Sequence, residues 1–234
     1  SDAFVPARHR RDDPKPTVDD IPESLRTAIK CFIVTCAIRI ARGQENKHNS
    51  MLIHVSRFQA WQNHLKEIID RLFKYYKSEI EADDPTMLEE LRQIFEEDTP
   101  TYRSYCTITR EIMDSPVLSR VDNQMRLHTW KEIKPLLYRA VQKIEVKSIN
   151  GTSGDNLTYY ENERNGISVI AIGGDKLSRG LTLEGLSVSY FLRASKMYDT
   201  LMQMGRWFGY RPGYVDLCRL FTSNELNEWY RHIT

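Results

Sequence analysis

Five short strand-like runs, apolar or alternating and separated by stretches of helical period, constrain this chain more than any other feature. They are Ser50 to Val55, Lys143 to Ile149, Ile167 to Ile172, Leu186 to Leu192 and Val215 to Phe221. Met51-Leu52-Ile53-His54-Val55 and Ile167 to Ile172 are nearly unbroken in apolar character. That is the pattern of strands buried on both faces, as parallel strands are, rather than the alternation of a half-exposed sheet. Between them, Leu25, Ile29, Phe32, Ile33, Cys36, Ala37 and Ile40 recur at helical spacing within a predicted helix over Ile21 to Arg42, closed by Gly43. Trp61, Leu65, Ile68, Ile69, Leu72 and Tyr76 mark a second, longer helix. Strands interleaved with helices predict an α/β chain with a parallel sheet covered by helices on both faces.

Length and charge narrow the function. At 234 residues the chain suits one large or two small domains, and 41% hydrophobic residues are enough for a real core. A net charge of +1, from 33 Lys and Arg against 32 Asp and Glu, excludes a basic field over the whole surface. Any nucleic-acid contact must therefore come from a local patch. Cys31, Cys36, Cys106 and Cys218 form no CxxC and no zinc-spaced cluster with histidine. They read as reduced core thiols, and the expected compartment is the cytoplasm. No run approaches the ~18 apolar residues of a membrane span, and no membrane partner is expected. The chain opens on Ser1-Asp2-Ala3 and ends at Thr234, as expected of a piece of a longer protein.

Residues 1–20 are polar and Pro-rich, with a basic cluster at His9-Arg10-Arg11. They read as an extended arm that docks elsewhere or links domains. Residues 21–234 read as one lobe. Within it, residues 81 to about 140 are helical, of mixed charge and broken by Asp84-Pro85, Thr99-Pro100 and Ser115-Pro116. This is a helical insertion, a lid or a partner-binding face, in which no chemistry is visible.

The chemistry lies in the last third. Gly173-Gly174-Asp175-Lys176-Leu177-Ser178-Arg179-Gly180-Leu181-Thr182 follows the strand at Ile167 to Ile172. Ligands of parallel sheets sit beyond the carboxyl ends of the strands. Gly174 lets backbone approach a phosphate, and Gly180 permits a turn a side chain would block. Ser178 can donate to a phosphate, and Arg179 to a phosphate or a carboxylate. Asp175 can accept from a ribose hydroxyl or from a facing arginine. A helix predicted over about 196–207 leads into Gln203-Met204-Gly205-Arg206-Trp207-Phe208-Gly209-Tyr210-Arg211. The guanidinium groups of Arg206 and Arg211 are always-charged planar donors suited to a phosphate on which charge develops. Trp207, Phe208, Tyr210 and Tyr214 serve either as packing or as stacking platforms for bases.

These two loops resemble motifs V and VI of a superfamily 2 helicase, in its second RecA-like lobe. Met51–Val55 with Ser56-Arg57 resembles that lobe's opening strand. Taken with Leu177-Ser178-Arg179-Gly180-Leu181-Thr182 and Gln203 to Arg211, the combination is similar to the Z1 domain family. Its members are described as endonucleases and occur in bacterial proteins with helicase-like ATPase lobes, in restriction or phage-defence settings. The resemblance implies a RecA-like, P-loop-NTPase-like lobe. It further implies ATP and Mg2+ bound in the full-length protein, between this lobe and a missing N-terminal RecA-like lobe, with DNA as partner. Arg206 and Arg211 would be catalytic, and Gly174, Asp175, Gly180 and Gln203 would bind nucleotide. Ser56, Arg57, Ser178 and Arg179 would bind nucleic acid. Thr182 departs from the acidic residue helicases commonly carry, and Arg206 and Arg211 are spaced more widely than in a typical arginine loop. No GxxxxGK[ST] loop and no DExx strand is present, so the chain is not expected to hydrolyse ATP alone.

The endonuclease description asks for carboxylates converging on a metal. Glu145-Val146-Lys147 is the local candidate, with Glu145 and Lys147 on one face of a strand. No partner aspartate precedes it, so no metal site is expected. A metal-dependent endonuclease and a non-catalytic scaffold lobe remain the alternatives.

Overall fold

One strand organises the sheet. The computed structural model describes residues 4–6, 9–54, 56, 58–117, 119, 122, 124–149, 161–173, 183–191 and 212–223. Within them β1 (Asn49–His54), β2 (Ile144–Ile149), β3 (Ser168–Gly173), β4 (Leu186–Phe191) and β5 (Arg219–Thr222) form one sheet in the order β2-β3-β1-β4-β5. Every pairing is parallel, and β1 lies between β3 and β4. The fold is α/β and consistent with a RecA-like sheet. β1, β3 and β4 are buried along their whole lengths, as their apolar sequences require. β2, at one edge, alternates buried with more exposed positions.

The helix α1 (Glu23–Ala41) is buried without a break from Ala28 to Arg39, more completely than its apolar periodicity predicts. It packs along β4 and β5, and α6 (Leu137–Lys143) and α3 (Pro85–Glu96) close over it. Its end is a Schellman turn: Gln44 N–H donates to the Arg39 carbonyl and Gly43 N–H to that of Ile40, with Gly43 at φ 75°. The helix α2 (Gln59–Glu81) runs along β2 and β3, burying Trp61, Leu65, Ile68, Ile69, Leu72 and Tyr76 as their spacing predicts. The buried Lys30 of α1 is held by Glu90 at 2.7 Å and lies over the Tyr76 ring at 5.3 Å.

The helices of residues 81–140 share this core. Asp84 caps α3 by accepting from Met87 N–H, with Pro85 in the first turn. Ser104 likewise caps α4 (Tyr105–Asp114). Leu91 and Phe95 of α3, Tyr105 of α4 and Ile133 of the short α5 (Trp130–Ile133) join one cluster with α1 and the sheet. The Tyr105 hydroxyl donates to the Cys31 carbonyl and accepts from Thr35, both in α1.

The predicted strand over Val215 to Phe221 is shorter in the structure. Val215–Leu217 is a 3-10 turn and only Arg219–Thr222 is strand. The turn directs Asp216 inward, where its carboxylate accepts two hydrogen bonds from Arg42, at 2.8 and 2.6 Å, and one from Thr109 at 2.5 Å. Local propensity gives way to a buried ion pair that links α1, α4 and the approach to β5. The helix predicted over 196–207 lies outside the described residues.

Candidate functional site

The parallel register brings three chain ends together. His54, the last residue of β1, is level with Gly173 of β3 on one side and Phe191 of β4 on the other. The His54 ring stacks on that of Phe191, with centroids 4.6 Å apart and planes at 17°. The chain therefore leaves β3 and β4 at the carboxyl edge, immediately beside the residues that follow β1. In the strand order, the connection from β1 runs toward β2 and that from β4 toward β5. The crevice between β1 and β4 is thus a topological switch point, where open α/β sheets hold ligands.

Ser56 follows β1 at this edge, between the strand and the first turn of α2. Its hydroxyl accepts from Phe58 N–H at 3.1 Å, and its carbonyl accepts from the Gln62 side chain at 3.0 Å. These bonds turn the chain sharply from strand into helix. Above Ser56 lies His9. The His9 Nδ1 is 2.7 Å from the Pro6 carbonyl, which can only accept, so Nδ1 carries the proton. In the neutral ring Nε2 then accepts from the Ser56 hydroxyl at 2.8 Å. The imidazole is wedged against the Phe58 and Trp61 rings, at 5.4 and 4.4 Å. Trp61 Nε1 donates to the Arg10 carbonyl and His64 bonds the Pro16 carbonyl, while Phe4 is buried in the core. The arm is thereby fastened over the start of α2, and Ser56 is 1% exposed. A phosphate approaching the Ser56 hydroxyl has to displace His9.

Of the catalytic, nucleotide-binding and nucleic-acid-binding residues that the resemblance implies, Ser56 is the one the structure describes. Arg57, Gly174, Asp175, Ser178, Arg179, Gly180, Gln203, Arg206 and Arg211 lie outside the described residues. The chain re-enters them at Pro212, whose carbonyl faces the Gln44 side chain at the amino edge of the sheet. His9, Trp61 and Gln62 were missed as neighbours of the site. The contact between His9 and Ser56 spans 47 positions and leaves no local signal in the sequence.

Glu145 and Lys147, the carboxylate and lysine considered for a metal site, pair with each other at 2.9 Å on edge strand β2, where the Glu145 side chain is 67% exposed. Among the described residues no group of three or more His, Cys, Asp or Glu is placed to hold a metal ion, and no helix is long and apolar enough to cross a membrane. All four cysteines are free thiols. Burial pushes them up, Cys31, Cys106 and Cys218 to about 11 and Cys36 to about 12, so none is primed as a nucleophile.

No curated protein and no solved structure matches the chain. A family model described as Z1 domain matches residues 24–234, beginning just after the arm that carries His9.

Proposed function

The chain belongs to the Z1 domain family, and on that premise we propose that it is the C-terminal helicase-like lobe of an ATP-dependent protein that acts on DNA in a restriction or phage-defence setting. One observation carries the reading: β3 and β4 flank β1 and end level with it at the switch point. The segments at 174–182 and 192–211, with their glycines and arginines, begin from those strand ends. A first lobe, supplying the phosphate loop and the Mg2+ ligands, would close on this edge with ATP between.

In this reading Arg206 and Arg211 reach across the cleft to the γ-phosphate. Gly174, Asp175, Gly180 and Gln203 contact the nucleotide. Ser56, Arg57, Ser178 and Arg179 contact the nucleic-acid backbone, so that closure of the lobes is coupled to movement on DNA. Ser56 lies between β1 and the turn into α2, beneath His9, so in this reading the arm moves aside for the contact.

The test is ATP hydrolysis by the full-length protein, with and without DNA, comparing wild type with Arg206→Ala/Arg211→Ala. Loss of an arginine finger costs roughly 10³–10⁵ in turnover. A DNA-stimulated rate abolished by the double substitution supports the reading. Turnover unchanged by it, or no turnover in wild type, refutes it and brings the endonuclease and scaffold alternatives forward.

A further inference from the structure

At the opposite, amino edge of the sheet, Arg39 of α1 is a buried guanidinium that forms no salt bridge among the described residues. It is 3% exposed. Its Nε donates to Gln44 Oε1 at 2.9 Å, and its Nη1 to the His48 carbonyl at 2.7 Å and Asn49 Oδ1 at 2.6 Å. All these acceptors are neutral. One face of the guanidinium lies on the Tyr214 ring, 4.3 Å from its centroid. Its Nη2 has no acceptor, and Arg39 no ion pair, among the described residues.

At the end of the same helix, Arg42 by contrast has a counter-charge: both its terminal nitrogens hold the buried Asp216 carboxylate. Burying a charge without a counter-charge costs several kcal/mol, so an arginine left with neutral partners calls for an anion.

The space for one is present. Arg39 lines a cavity of about 380 Å³ together with Gln44, Lys47, His48 and Tyr214. This is within the range of small-ligand sites. Lys47 is an exposed cation at its rim with no ion pair among the described residues. Glu184 also lines the cavity. The wall at Gly185 is closed by backbone, since a Cβ there would lie 1.9 Å from the His48 carbonyl oxygen.

We infer that this cavity binds the oxyanion of a small organic ligand, a phosphate monoester or a carboxylate, with Arg39 Nη2 as the donor open to the cavity, Lys47 as the rim cation and Tyr214 as the platform behind the guanidinium. The β strands separate it from the carboxyl edge by roughly 20 Å, at about 3.3 Å per residue. It is therefore a second site, independent of the nucleotide reading above.

Binding of adenosine monophosphate, inorganic phosphate and glutarate to the full-length protein tests this, by calorimetry at constant ionic strength. The expected result is saturable binding of at least one probe. The two phosphate probes against glutarate distinguish a phosphate from a carboxylate ligand. Lys47→Glu, an exposed change that leaves the fold intact, should weaken binding at least tenfold, while Arg206→Ala/Arg211→Ala should not. Arg39→Gln, if it folds, should abolish binding. Absence of saturable binding to all three probes overturns the inference. So does binding unchanged in Lys47→Glu, or binding lost only with the two distal arginines.

Discussion

Asp216→Ala should be among the most damaging single changes in the chain. The Asp216 carboxylate is wholly buried, and Arg42, its partner, is 1% exposed in its side chain. Two charge-assisted hydrogen bonds, at 2.8 and 2.6 Å, join them, and Thr109 adds a third at 2.5 Å. Truncation leaves Arg42 with only the Gly213 and Arg126 carbonyls, and leaves Thr109 without its acceptor. Removing one partner of a buried pair costs about 3–5 kcal/mol, because the survivor stays charged in a site that excludes water. For a domain of this size, that lowers Tm by roughly 6–20 °C. Replacing both partners by apolar residues removes the stranded charge. Arg42→Met/Asp216→Leu should lie within about 2 kcal/mol of wild type. Denaturant unfolding of wild type, both single variants and the double variant closes the cycle. A cost under about 1 kcal/mol for Asp216→Ala, or a double variant as unstable as the sum of the singles, would refute a stranded buried charge.

Gly185→Ala should destabilise by about 2–5 kcal/mol, since Gly185 has φ 67° and its Cβ would meet the His48 carbonyl at 1.9 Å. Gly43→Ala, at φ 75° with nothing within 4 Å, should cost only about 1 kcal/mol in the same unfolding assay. The raised thiols of Cys31, Cys36 and Cys218 stay protonated in the folded protein after they ionise in the unfolded chain. Their contribution is therefore complete below the ordinary thiol value of 9.0 and declines up to about 11 to 12, so Tm measured against pH should fall across that window. Trp61→Phe removes the donor to the Arg10 carbonyl while keeping an aromatic ring. Hydrogen exchange and limited proteolysis should then show the arm opening more often, and unchanged protection would mean that Phe4 and the His9 and His64 hydrogen bonds hold it without Trp61.

The sheet was legible because its strands are buried on both faces. Met51 to His54 and Val169 to Ile172 have no polar side to turn outward beyond His54, which stacks on Phe191. The run at Val215 misled because periodicity does not register that Asp216 has a buried arginine waiting for it. Of the site, the turn at Ser56 was visible as the end of an apolar strand. The imidazole above it was not, because nothing local to His9 marks a partner 47 positions away. Arg39 escaped notice for a related reason. On a helix that looks amphipathic it falls near the polar end, and only the packed structure reveals that every residue from Ala28 to Arg39 is enclosed.

The central place of β1 also sets an order of events during synthesis. Asn49 meets its partner Ser168 119 positions later, and β4 closes the other side later still. At about 5–20 residues per second, a ribosome takes roughly 6–24 s to make the intervening stretch. During that interval Met51, Leu52 and Ile53 have no strand on either side, since both neighbours of β1 are yet to be made. The nascent chain thus carries an apolar, unpaired strand for seconds, the form of segment that chaperones cover and that other chains of the same kind can capture.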